Sequence, residues 1–253
     1  MRKWLISTMI GLVFLAACTD SGTGGSSNRG TSESDPTPTP AGVYAAVGAS
    51  ETAGWGAGNF RTESWPRVLL DMALPDFKLV NLGLPGATVE RAIERELPKL
   101  ERAEPDIVTV WLNANDILQG VSPAQYKQDF HRLLRRIKRT DPQQILVANT
   151  PPLETLPAYR ACRPDPPEDG PFCFLGSSLP SPSEMRTLVD RYNEIIKKSV
   201  KRVGASLVDL YSSAREAQRL GTDGLLVSGD GLHPSTEGHR AIAESFSDKV
   251  ETP

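Results

Sequence analysis

Five short apolar runs recur along this chain, and between and after them lie segments whose apolar residues return at helical spacing. The runs are Val43–Val47, Lys78–Asn81, Ile107–Leu112, Ile145–Ala148 and Leu207–Leu210. The helical patterns cover Trp65–Met72, Thr88–Leu100, Tyr126–Ile137, Glu184–Val203 and Thr236–Val250. In the second of these, Val89, Ile93 and Leu97 fall on one helix face. In the fourth, Met185, Leu188, Val189, Tyr192, Ile195 and Ile196 do the same. Strands that are apolar almost throughout need cover on both faces. Regular alternation of strand and helix is the mark of a parallel sheet. The sequence therefore predicts an α/β fold, a three-layer α/β/α sandwich about a parallel sheet, filling residues 43–253. No internal repeat is visible.

Residues 151–183 break the rhythm. The stretch is long for a connection within a compact domain and dense in Pro, Gly and Asp, as functional or disordered loops are. It follows the fourth strand and is expected at the sheet edge where open α/β folds bind ligands. It reads as one wall of the substrate site, with a plain surface insertion as the alternative.

Ahead of the domain, Arg2 and Lys3 precede an apolar stretch from Trp4 to Phe14 that is short for a membrane span. Leu15-Ala16-Ala17-Cys18 follows and resembles a bacterial lipoprotein signal cleaved before the Cys. Residues 1–17 are then a signal peptide, and Cys18 is the lipidated first residue. The protein is expected outside the cytoplasm, held on the bacterial membrane through its lipid alone. An ordinary secretory signal and a retained membrane helix are the alternatives. Residues 18–42 are rich in Gly, Ser, Thr and Pro and lack large apolar side chains, so they cannot offset the entropy of ordering. They read as a disordered tether reaching about 25 Å as a coil.

In an exported chain the two remaining cysteines, Cys162 and Cys173, read as a disulfide stapling the Pro-rich segment between them. A two-Cys metal site is the alternative, but no histidine lies near either cysteine. No metal or other cofactor is expected. The net charge of −3 and a pI near 5.7 give no electrostatic case for nucleic acid. The basic cluster His131–Arg139 is interleaved with Leu133, Leu134 and Ile137 and reads as the solvated face of a helix. His131 and His239 are read as solvated in the same way, and a monomer is expected.

Four short blocks carry chemistry. They are Gly48-Ala49-Ser50, Asn81-Leu-Gly-Leu-Pro-Gly86, Asn113-Ala-Asn115-Asp116 and Asp230-Gly-Leu-His233-Pro234. Ser50 closes the first strand, where a side chain points into the crevice at the sheet edge. Asp230 and His233, three residues apart before the last helix, can supply the orienter and base of a hydrolytic triad. A Gly and an Asn between them can supply oxyanion donors. Trp55 can line such a site or fill the core.

Taken together and in this order, the blocks resemble the SGNH (GDSL-type) hydrolase family over the whole domain. The resemblance implies a flavodoxin-like five-stranded sheet of order 2-1-3-4-5 and no cofactor. It matches Ser50 to the nucleophile, His233 to the base and Asp230 to its partner. The oxyanion hole would comprise Ser50, Gly86 and Asn115, with Gly83 a rival for Gly86. Three positions depart from the family pattern. Ala49 replaces a loop-fixing Asp, Glu51 replaces an apolar Leu, and Asn113 brings a side chain where the family has Gly. The implied activity is that of a membrane-tethered serine esterase acting on short acyl or acetyl esters of a small molecule, a lipid or an acetylated glycan. An O-acyltransferase acting on an envelope glycan and a catalytically silent binding module are the alternatives.

Overall fold

The computed structural model describes residues 39–176 and 179–251. The signal segment, Cys18 and nearly all of the expected tether lie outside these residues. Five strands, β1 (Gly42–Gly48), β2 (Phe77–Asn81), β3 (Ile107–Trp111), β4 (Gln144–Ala148) and β5 (Ser206–Val208), pair in parallel in the order β2-β1-β3-β4-β5. This is the order implied by the family resemblance. Side chains alternate between the two faces of the sheet, as the strand period of two demands. Ala45, Val47, Val108, Val110, Ile145 and Val147 enter one core. Tyr44, Ala46, Ile107, Trp111, Leu146 and Ala148 enter the other.

Eleven helices lie among the described residues: α1 (Ser50–Ala53), α2 (Trp65–Ala73), α3 (Val89–Arg95), α4 (Leu97–Ala103), α5 (Ala114–Leu118), α6 (Pro123–Arg139), α7 (Pro157–Ala161), α8 (Pro182–Val203), α9 (Leu210–Leu220), α10 (Asp223–Leu226) and α11 (Thr236–Ser247). The first core is closed by α3, α4, α6 and α8. Tyr126 of α6 stacks on Tyr192 of α8 with ring centroids 4.1 Å apart. The second core is closed by α2, α9 and α11, and Trp65 of α2 stacks on Phe246 of α11 at 4.5 Å. None of the described helices is long and apolar enough to cross a membrane.

Two elements differ from the sequence reading. The helix expected over Thr88–Leu100 is broken at Glu96 into α3 and α4. Pro98 has no N–H to give the carbonyl four residues back, so the first helix cannot run through it. The fifth strand stops at Val208 rather than Leu210, because the Asp209 side chain accepts the N–H of Ser212 at 3.1 Å and opens α9. Residues 151–183 carry a short 3-10 turn at Leu153–Thr155 and α7, and Cys162 is disulfide-bonded to Cys173. Tyr159 Oη donates to the Pro180 carbonyl at 2.6 Å, and the Arg163 guanidinium donates to the Leu179 and Pro180 carbonyls. These bonds fold the segment back on itself.

Candidate active site

The four sequence blocks meet at the C-terminal edge of the sheet. Ser50 is the first residue of α1, directly beyond β1. Gly48 permits this tight exit, since a Cβ there would collide with the Thr52 side chain. Ser50 Oγ lies 2.9 Å from His233 Nε2, and His233 Nδ1 lies 2.5 Å from Asp230 Oδ2. A carboxylate can only accept, so Nδ1 carries the ring proton and Nε2 is left to accept from the serine hydroxyl. Both Ser50 and His233 are buried.

Asp230 is fully committed. Its Oδ1 accepts from the N–H groups of Leu232 and His233 at 2.8 and 2.9 Å and from Ser228 Oγ at 2.8 Å. Burial alone would raise its pKa. The bonds from His233, from the two backbone N–H groups and from Ser228 outweigh that and hold it down at about 2. The carboxylate therefore stays ionised opposite Nδ1. Trp55 lines the site instead of the core. It is 53% exposed, and its ring is tilted against His233 at a centroid distance of 5.4 Å.

The oxyanion candidates are held by the neighbouring loops. The chain after β2 runs beside the end of β1, with the Leu84 N–H donating to the Gly48 carbonyl at 2.9 Å. Gly83 packs against the backbone of Ala53, and its N–H is taken by Asn81 Oδ1 at 2.9 Å. Gly86 adopts φ +73° with open space where a Cβ would stand. Among the described residues no hydrogen bond occupies the Gly86 N–H or the Asn115 side chain. Asn113 is buried and turns its amide 3.5 Å from the Ala148 carbonyl at the end of β4, bracing the sheet edge.

Two carboxyl groups that the sequence analysis did not assign brace this edge from within. Glu96, at the break between α3 and α4, accepts the Gly48 N–H at 2.9 Å through Oε2. Its Oε1 is buried without a partner. Burial pushes its pKa up to about 8, against the pull of the Gly48 bond. Ala49 has no carboxyl group to fix the serine's own segment, and Glu96 supplies one from across the fold. Asp116 accepts the Val89 N–H at 3.2 Å on both oxygens. It thus ties α5, which carries Asn115, to the start of α3 just beyond Gly86. Burial raises its pKa to about 7, opposed by the Val89 bond. His239 corrects the sequence reading, because it is fully buried and not solvated. Its Nε2 donates to the Trp55 carbonyl at 2.9 Å and its Nδ1 accepts the Trp65 N–H at 3.2 Å. Burial lowers its pKa and keeps it neutral. Its two backbone partners lie far away in sequence, so no local pattern could announce it.

Glu51 lies beside the nucleophile, with Oε2 3.4 Å from Ser50 Oγ. It lines a cavity of about 190 Å³ whose other walls are mainly apolar, among them Trp111, Leu153, Leu156, Leu210 and Ile242. Burial raises its carboxyl pKa, while its own backbone N–H, His233 and Ser50 pull the other way. Residues 151–183 contribute one wall of this cavity. Leu153 and Leu156 face this cavity, and the Ala158 N–H donates to the Gly231 carbonyl at 3.0 Å, inside the Asp230–His233 turn.

The fold has parallels among solved structures. One is a protein of Parabacteroides merdae, provisionally described as a GDSL-like lipase. It is 19% identical, with 84% of this chain and 96% of that one covered and a TM-score of 0.66. Axe2, an acetylxylan esterase of Geobacillus stearothermophilus, is 18% identical over 85% and 96% with a TM-score of 0.63. A lipase/acylhydrolase of Enterococcus faecalis is 19% identical over 82% and 94% with a TM-score of 0.60. Comparison with curated proteins finds no match. The profile of the GDSL-like Lipase/Acylhydrolase family matches residues 46–241, which span all four blocks. The chain therefore belongs to the GDSL-like lipase/acylhydrolase family and is a serine ester hydrolase.

Proposed function

We propose that the protein hydrolyses carboxylic esters of short acyl groups, acetyl esters of glycans among them, through an acyl-enzyme on Ser50, and that it does so on the outer side of the membrane to which Cys18 anchors it. The observation that carries the chemistry is the continuous relay from Ser50 Oγ through His233 to Asp230, with contacts of 2.9 and 2.5 Å. His233 Nε2 takes the proton of Ser50 as Oγ attacks the ester carbonyl. Asp230 fixes the tautomer and stabilises the imidazolium that forms. The tetrahedral oxyanion is met by the backbone N–H groups of Ser50 and Gly86 and by the Asn115 amide, each worth about 3 kcal/mol in the transition state. The vacancy of the Gly86 N–H and of the Asn115 amide among the described residues supports this assignment. So does the engagement of the Gly83 N–H, which leaves Gly86 as the donor. Imidazolium then protonates the departing alcohol, and water attacks the acyl-enzyme with the same base.

The sugar-directed reading draws on Axe2, an acetylxylan esterase, and on Trp55, whose exposed ring beside His233 gives a leaving sugar an apolar face. The anchored reading draws on Leu15-Ala16-Ala17-Cys18 and on the polar composition of residues 18–42. One experiment tests both. The full-length chain, expressed in a bacterial host, is labelled with a fluorophosphonate and partitioned between detergent and water. The label is expected in the detergent phase, absent from Ser50→Ala and moved to the aqueous phase by Cys18→Ser. Labelling of a folded Ser50→Ala refutes the nucleophile. Label in the aqueous phase from the unaltered chain refutes the anchor.

A further inference from the structure

Glu51 is an anomaly of charge. It lines a cavity of about 190 Å³ whose walls are otherwise apolar but for Ser213 and Ser245, and among the described residues it is the one titratable side chain there. Among the described residues no Lys or Arg pairs with it. Its hydrogen-bond partners are its own backbone N–H and the nucleophile, Ser50 Oγ, at 3.4 Å. A carboxylate removed from water is costly unless a cation or several hydrogen bonds compensate it. This one also opposes the reaction, because negative charge develops on the substrate within a few ångströms of it. A cation brought by the substrate would cancel both effects, and it would do so most strongly in the transition state, where binding energy becomes rate.

Resting on the reading of Ser50 as nucleophile, we propose that the substrate's acyl group is an amino acid with an apolar side chain, its α-ammonium paired with Glu51 and its side chain seated in the cavity beside it. The placement fits the atoms. An α-ammonium is two bonds from the carbonyl carbon that Ser50 attacks, so it lies within ion-pair reach of a carboxylate 3.4 Å from Oγ. The cavity exceeds the roughly 150 Å³ apolar space that accepts benzene elsewhere, which is enough for a branched aliphatic side chain. Trp111 from the end of β3, Leu153 and Leu156 from the stapled segment, Leu210 of α9 and Ile242 of α11 supply its apolar walls. In the reaction, Ser50 Oγ bonds to the aminoacyl carbon as the acyl–alkoxy bond breaks. The serine proton passes through His233 to the alcohol, and water releases the free amino acid.

The test compares L- and D-leucine methyl esters with methyl 4-methylpentanoate, which differs only in lacking the ammonium. Hydrolysis is followed by acid release at pH 7 for the unaltered enzyme and for Glu51→Gln, which keeps the shape and removes the charge. The intrinsic activation of a carbonyl by a neighbouring ammonium is the same in both enzymes. It cancels when the aminoacyl-to-plain ratio of kcat/KM in one is divided by that in the other, as does any loss of folded protein. For at least one enantiomer that quotient is expected to be about 10–100, the worth of one charge-assisted contact. A quotient near one or below overturns the proposal, and so does a quotient above one that arises only because Glu51→Gln improves the plain ester while neither leucine ester is turned over more slowly. Failure of the esterase reading looks different, since no ester is then turned over faster by the unaltered enzyme than by Ser50→Ala.

Discussion

Asp230 and His233 sit in a turn where the carboxylate and both ring nitrogens are engaged, whereas Gly86, on the loop after β2, and Asn115, in α5 after β3, keep their donors empty. The first arrangement needs four groups from one short stretch: the Ser228 hydroxyl, two backbone N–H groups and the imidazole all converge on one carboxylate. The second needs support from behind, and Asp116 provides it by joining α5 to the start of α3. A base must be fixed in one tautomer before substrate arrives, so its partners are permanent. An oxyanion exists only in passing, so its donors must be held in place yet left unpaired, without relaxing onto protein acceptors. Saturation and vacancy are two ways of preorganising the same reaction.

The largest expected effect breaks the saturated half. Asp230→Asn leaves an oxygen for the Leu232 and His233 N–H groups but turns an amide towards Nδ1, favouring the wrong tautomer. Turnover should fall by about 10³–10⁴-fold with the fold intact. Steady-state kinetics on one short-chain ester, with circular dichroism alongside, checks this, and a loss below tenfold would show that the orienter lies elsewhere. Breaking the vacant half should cost less. Asn115→Ala removes one of three donors and should lower kcat by about 10²–10³ while moving KM little. A rise in KM alone would make Asn115 a ground-state binding residue.

The smallest effect concerns the buried carboxyl group behind Gly48, at the end of the strand that leads to the nucleophile. Glu96 has a folded pKa of about 8, above the ordinary carboxyl value of 4.5. Between those values the folded state keeps a proton that the unfolded chain has lost. Its contribution to stability therefore falls as pH rises through that window. Glu96→Gln keeps an acceptor for the Gly48 N–H and abolishes the ionisation. It should be nearly neutral at pH 5 and stabilising by about 1–3 kcal/mol at pH 9. Equal denaturation midpoints for the two proteins at both pH values would show that Glu96 is not held neutral.

The strands were legible because nearly continuous apolar runs have few other uses, and Ser50, Asp230 and His233 were legible because their chemistry fixes their residue types. α9 was missed because Leu210–Leu220 carries so little apolar surface: Leu210 and Ala217 are its only buried residues. Glu96 was missed for the opposite reason. A charged residue in a helical pattern reads as solvated, and nothing near it in sequence reveals that it turns inward to reach Gly48. Asp116 reaches Val89, 27 residues away, and nothing in its own loop announces that partner. These interior carboxyl groups are tertiary facts, decided by what the fold brings beside them.

The segment from His233 to His239 has a consequence for how the site is held. His233 ends the turn that carries the base. In the first turn of α11, Thr236 accepts the Gly58 N–H at 2.9 Å and His239 holds the Trp55 carbonyl at 2.9 Å. Trp55 is tied on its other side to the nucleophile, since its N–H donates to the Ser50 carbonyl at 2.9 Å. The backbone of Trp55 is therefore a strut between the head of α1 and the head of α11, although Trp55 and His233 lie 178 residues apart in the chain. Through it the carrier of the base is braced against the carrier of the nucleophile, and the spacing of Ser50 Oγ and His233 Nε2 depends on a bond that neither residue makes.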